Sequence, residues 1–195
     1  MAMFYWSAWV SFNTFVIIYA TRAAGSGYSG CLGMSLDNFG KVKGWTLLLQ
    51  VPIFFLIGPL MDRFHPLRIL LAGLIGILAV YVVGMFAISG TSTFFWWWVA
   101  NAAATAVFSA AYLAIFPRLL PQAKFGQYFS ANQIFFSCGV VLAPIFCGAL
   151  LDRVKNYNVL FIWAAFFTAL SLLVAFSLYR HWKRLGGDSG YVAPV

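Results

Sequence analysis

The sequence predicts an all-α, polytopic membrane protein whose six transmembrane helices form an inverted three-plus-three repeat. Three observations carry that reading. Of 195 residues, 63% are apolar and 8% charged, the charges being 12 Lys/Arg and 4 Asp. Long charge-free stretches separate those charges, and one short motif closes both the second and the fifth span. An ordinary soluble domain has about 25% charged residues, and a chain this apolar cannot clothe a water-facing surface. A soluble enzyme, a disulfide-stapled secreted domain and a disordered tail are thereby excluded.

The stretches free of Asp, Lys and Arg are 1–21, 44–61, 69–117, 125–151 and 156–179. A spanning helix needs about 20 apolar residues. Four stretches hold one span each, and the third is long enough for two, divided by the helix-poor run Ser89-Gly90-Thr91-Ser92-Thr93. The predicted single bundle over 1–195 thus has helices near 4–22, 43–61, 68–88, 94–116, 127–151 and 158–180. None of the stretches alternates every second residue as barrel strands do. The first lacks a basic flank and carries Trp6, Trp9 and Phe12, so it reads as a span and not as a signal peptide.

Six spans put both termini on one face, side A. Its loops carry Arg63, Arg68, Arg118, Lys124, Arg180, Lys183 and Arg184, against Arg22, Lys41, Lys43, Arg153 and Lys155 on side B. Seven against five favours cytoplasmic termini, with a bacterial inner membrane as the expected location. The net charge of +8 fits anionic headgroups, since Arg180-His181-Trp182-Lys183-Arg184 directly follows the last span. Loops this short leave no face for nucleic acid. Cys31, Cys138 and Cys147 make no disulfide framework and are expected to be packing residues. Gly25-Ser26-Gly27-Tyr28-Ser29-Gly30 reads as a flexible side-B loop, Ser35 as the cap of a short helix entering the second span, and Trp96-Trp97-Trp98 as interfacial belt.

The second span ends Pro52-Ile53-Phe54-Phe55-Leu56-Ile57-Gly58-Pro59-Leu60-Met61-Asp62-Arg63, and the fifth ends Pro144-Ile145-Phe146-Cys147-Gly148-Ala149-Leu150-Leu151-Asp152-Arg153. Both read Pro-Ile-Phe, a spacer, then Gly-x-Leu-x-Asp-Arg. Three spans separate the copies, so they emerge on opposite faces, the hallmark of an inverted repeat. Amides are costly in hydrocarbon unless they face protein or water. They occur in spans one (Asn13), two (Gln50), four (Asn101) and five (Asn132, Gln133), and are absent from three and six. The expectation is that four spans line a wet cavity and two face lipid. Asn101, Thr105, Ser109 and Tyr112 recur at helical spacing as one polar stripe. Interhelical glue explains Thr105 and Ser109 equally well, given the alanines around them. Asn13, Gln50, Asn101, Thr105, Tyr112 and Gln133 are the candidate substrate-binding residues.

The segment Gly58-Pro59-Leu60-Met61-Asp62-Arg63-Phe64-His65-Pro66-Leu67-Arg68 resembles the signature loop of the major facilitator superfamily, Gly-x-Leu-x-Asp-Arg-x-Gly-Arg-Arg. It matches at Gly58, Leu60, Asp62 and Arg63 and departs at His65, with the basic pair reduced to Arg68. Pro117 to Gln127 is similar to that family's next cytoplasmic loop. Members usually carry twelve helices in two bundles, and this chain looks most like the carboxy-terminal one. The resemblance implies transport by alternating access, with the third and sixth helices outside. It also implies a gate in which Asp62, beside Arg63, caps the third helix and pairs with Lys124 or Arg118 in one conformation; a plain helix cap is the simpler reading.

No ionisable residue falls in mid-span in this reading, so proton coupling has no obvious carrier. Amides, hydroxyls and aromatic rings suit a neutral sugar- or nucleoside-like solute. Enzymatic roles fare poorly: both histidines lie in loops, glutamate is absent, and no metal or cofactor is expected. Two functions remain. One is a half-transporter that needs a second six-helix bundle, a homodimer partner or a separately encoded half, with Asn13, Asn101 and Tyr112 at the interface. The other is a non-transporting accessory subunit of a larger membrane complex.

Overall fold

The computed structural model describes residues 1–23 and 27–191. Among them, α1 spans Ala2–Thr21, α2 Leu36–Arg63, α3 Pro66–Ala87, α4 Thr91–Leu119, α5 Phe125–Val154 and α6 Val159–Arg184. A 3₁₀ turn, Gln122–Lys124, precedes α5, and a short α7, Gly187–Gly190, follows α6. Five of these helices, α2 to α6, are long and apolar enough to cross a membrane. α1 has the length but is less apolar, because it carries Ser, Trp, Tyr and Asn side chains that it mostly turns inward: Tyr5, Ser7, Ser11 and Tyr19 are all buried. The chain is an all-α, multi-pass membrane protein.

Helix ends follow local chemistry. Ser35 accepts a hydrogen bond from the Asn38 N–H at 3.2 Å, and Asp37 in the first turn bonds Lys41 at 2.6 Å. A cap, an acid at the positive helix end and an i,i+4 pair together start α2 seven residues before the predicted 43. The separate short helix expected at Ser35 is therefore the first two turns of α2. At α4, Thr93 Oγ1 accepts from the N–H groups of Ser89 and Gly90, both at 3.0 Å.

The two halves trade partners. α2, from the first trio, packs on α4 of the second, and α5 packs on α1. α3 packs on α4, α6 on α1, and α3 on α6. Exchanging one trio for the other maps this set of principal contacts onto itself, as an inverted repeat requires. The third and sixth helices are not merely outer rods: α3 buries Leu67, Leu70, Leu74 and Ile77 against its neighbours while Ile75, Val83 and Phe86 face outward. The helices least covered are α2 and α5, each docked mainly on one partner.

Phe12, fully buried, ties four helices together, its ring 5.0 Å from Tyr81, 5.5 Å from Trp97 and 5.3 Å from Phe161. The expected Trp96-Trp97-Trp98 belt is corrected here. Only Trp96 is exposed; Trp97 is buried and donates to the Val80 carbonyl at 2.7 Å, and Trp98 is buried beside it. Three consecutive residues on a helix point 100° apart, so they cannot all face one interface.

On side B the first loop is fastened to the last. The Ser29 N–H donates to the Lys155 carbonyl at 2.9 Å and the Tyr157 N–H to the Ser29 carbonyl at 3.0 Å. Arg22 bonds the Tyr157 hydroxyl at 3.3 Å and lies 4.0 Å over the Tyr28 ring. Gly25 and Ser26 of the loop expected to be flexible lie outside the described residues; its Tyr28–Gly30 portion is pinned. Cys31 in this loop has its thiol pushed up by burial, against the opposing pull of Arg22. That burial disfavours the thiolate form of Cys31.

At two glycines one helix comes directly against the backbone of another. A Cβ at Gly139 would lie 2.6 Å from the Met3 carbonyl oxygen, and one at Gly73 would lie 2.8 Å from the Phe108 backbone nitrogen. Backbone cannot yield as a flexible side chain does. Gly139→Ala and Gly73→Ala should each destabilise by about 1–3 kcal/mol, read as a lowered thermal midpoint in detergent. Gly126→Ala, which meets open space, should change it little. Equal midpoints for all three would contradict this packing.

Candidate functional site

α1, α2 and α4 surround a cavity of about 350 Å³. It contains Asn13 from α1, Gln50 and Thr46 from α2, and Asn101 and Thr105 from α4, with Trp9 and Trp98 among its walls. Four of the six residues predicted from sequence, Asn13, Gln50, Asn101 and Thr105, therefore meet at one place. Tyr112 and Gln133 do not reach it. They line a second cavity of about 260 Å³, with Phe129 and Phe136 of α5. Trp6 and Ser109 line both cavities. The Trp6 ring stands edge-on to Trp9 at 5.2 Å and to Phe136 at 5.1 Å, and so divides one cavity from the other.

The polar stripe on α4 thus serves two chambers, its Asn101 end facing α2 and its Tyr112 end facing α5. Tyr112 and Asn101 are buried inside the bundle, because α2 docks over one end of the stripe and α5 over the other. The expectation that Asn13, Asn101 and Tyr112 form an outer interface is corrected accordingly. Gln133 is exposed on α5, while its neighbour Asn132 donates to the Tyr112 hydroxyl at 3.2 Å.

The amides are held from behind. Gln50 Nε2 donates to the Ala102 carbonyl at 3.0 Å, joining α2 to α4. Asn13 Nδ2 donates to the Trp9 carbonyl one turn back at 2.9 Å. Each carboxamide has spent a donor and accepts nothing from the described residues through its oxygen. Asn101 is buried and its Oδ1 has no hydrogen-bond partner. A buried amide in that state costs about 1–3 kcal/mol.

One charged cavity residue escaped the sequence reading. Lys43 lines the chamber, although the charge count places it with the side-B loops, at the first residue of a span beginning near 43. The early start of α2 puts it two turns inside the helix. Its Nζ lies 5.3 Å from the Trp98 ring and 5.6 Å from the Phe39 ring. Only the Ser35 cap signal, followed to a continuous helix, would have shown it.

At the side-A end, Asp62 and Arg63 close α2 and are exposed, as is Lys124 at the end of the 3₁₀ turn. The ion pair found among the described residues is Lys41–Asp37, so Asp62 is not latched to Lys124 or Arg118 in this conformation. Nor does Asp62 cap α3. That role falls to His65, whose Nδ1 accepts from the Leu67 N–H at 3.2 Å, with its ring 4.2 Å from Trp182. Asp62 is still within α2, whereas His65 immediately precedes Pro66 at the first helical position. Among the described residues, no cluster of His, Cys and Asp could hold a metal.

The Major Facilitator Superfamily model matches residues 1–189. The chain belongs to that superfamily. No curated protein and no solved structure matches it. Members of the superfamily are membrane transporters and not enzymes, and the six helices fit a half-length member.

If the Asn101 amide serves a solute, its burial is a stability cost. Asn101→Leu, which keeps the branching of the amide without its polar atoms, should then raise unfolding stability in detergent by about 1–3 kcal/mol. A structural amide would show the opposite sign.

Proposed function

We propose that this superfamily member carries a small sugar- or nucleoside-like solute by alternating access, as one bundle of a two-bundle transporter. One observation supports the solute class above the rest: amides and hydroxyls from three helices converge on a chamber walled by indole rings. Free amide oxygens accept from hydroxyls, and ring faces take a sugar or base. The chamber volume suits a small solute and not a peptide.

The second bundle is supported by the uncovered helices. α2 exposes Trp45, Leu48, Phe55 and Leu56, and α5 exposes Ile134, Phe135, Ile145 and Phe146. Both helices flank the chambers, so a second bundle meeting them would complete the walls. A second copy of this chain, or another six-helix half, would supply that bundle. The Lys/Arg excess favours cytoplasmic termini in a bacterial inner membrane. Asp62, Arg63 and Lys124 then lie on the cytoplasmic face, where a latch closes in the alternate state.

The test is uptake in proteoliposomes of a labelled sugar and nucleoside panel, with particle mass in mild detergent. Asn13→Ala and Asn101→Ala should each lower uptake by about tenfold or more, in particles holding two bundles. Undiminished uptake in both variants, or no uptake beside intact assembly with other subunits, would favour an accessory role instead.

A further inference from the structure

We propose that the chamber takes an organic oxyanion, a carboxylate or phosphate borne on the hydroxylated solute, with Lys43 as its counter-charge. This rests on the transport reading above and names its solute class. The neutral solute expected from sequence rested on the absence of ionisable residues from mid-span; Lys43, two turns into α2, nevertheless puts a cation in the chamber wall.

Lys43 is half-buried in the cavity wall, and no carboxylate among the described residues pairs with it. The rings of Phe39 and Trp98 orient its ammonium, but a π-face steadies a cation without cancelling its charge. The carboxylates whose side chains are described are engaged or remote. Asp37 bonds Lys41, Asp152 accepts from the Tyr28 hydroxyl at 3.1 Å, and Asp62 ends α2 on the opposite face. An uncompensated cation beside a low-dielectric wall is a standing cost that a bound anion relieves.

The rest of the chamber offers the complementary chemistry. Asn13 and Gln50 have each spent an N–H on a carbonyl, so they present oxygens to solute hydroxyls. Asn101, buried with an unpartnered Oδ1, lines the same space. Seven residues separate Lys43 from Gln50, about 10 Å along a helix. That is the length of a small sugar acid, charge at one end and hydroxyls at the other. The competing role for Lys43 is snorkelling to the headgroups. Lys41 provides the control, being two residues away on the same helix, exposed and outside the cavity.

The experiment titrates the full chain, in phosphatidylcholine nanodiscs, with gluconate, glucuronate, glucose 6-phosphate and neutral glucose, followed by tryptophan fluorescence and calorimetry. At least one anion should bind about tenfold or more tightly than glucose, and less tightly as sodium chloride rises. K43Q should abolish that preference, while K41Q and K43R keep it. If no anion binds wild type more tightly than K43Q, the inference is overturned. Competition by phosphatidylglycerol would assign the oxyanion to a lipid headgroup and also overturn it. Glucose binding that K43Q spares and Asn101→Ala removes would leave transport standing while the anion falls; no binding by any solute would sink both. Should K43Q fail to fold, K43R with the salt series on wild type decides.

Discussion

A bilayer interior offers a side-chain amide nothing to bond with, and the architecture answers that constraint. Gln50 finds the Ala102 carbonyl across the α2–α4 contact, Asn132 finds the Tyr112 hydroxyl across α4 and α5, and Asn13 turns back to its own helix. The lipid-facing sides of α3 and α6 carry Ile75, Val83, Ile162 and Phe166 instead. Polar groups gather where α1 and α4 face α2 and α5, and the chambers lie in those seams. Asn101, buried with an oxygen that finds no partner among the described residues, lines a chamber.

Exchange of helices between the trios makes this arrangement possible. Each trio lends its second helix to the first helix of the other, so α1 and α4 stand at the centre while α3 and α6 brace them from behind. Bracing is tight: Gly73 brings α3 onto the backbone of α4, and Gly139 brings α5 onto that of α1. The helices that carry the Gly-x-Leu-x-Asp-Arg ends are the ones least covered by the bundle, each docked mainly on one partner. A transporter that rocks one bundle against another moves at such surfaces, while the braced centre keeps its shape. On side B the first loop, bonded through Ser29 to the turn before α6, ties the two trios together across the exchange.

Much of this was legible from charge spacing and amide position. Hydrophobic stretches between charges locate the helices because hydrocarbon tolerates nothing else, and the inverted repeat showed in two copies of one motif. The amides of Asn13, Gln50 and Asn101 could be grouped because few residues are so costly there. What stayed hidden depended on distances between helices. Lys43 counts as a loop charge because cutting the chain at charges lets none fall inside a helix, and the Ser35 cap with its Asp37–Lys41 pair starts α2 ahead of Asp37, Lys41 and Lys43. The split of Tyr112 and Gln133 from the other site residues needed the position of the Trp6 ring. His65 was read as a departure from a loop pattern, yet it caps α3.

Water in the α1–α2–α4 chamber is the claim on which site, solute and mechanism all stand. Single cysteines at Gln50, Asn101 and Thr105, in a chain lacking Cys31, Cys138 and Cys147, can be reacted with a membrane-impermeant maleimide in sealed vesicles. Labelling rates should approach those of a loop position at these three sites and be far slower at Ile75 and Val83. If the three chamber positions react as slowly as the two on the outer face of α3, the chamber is dry and the account fails.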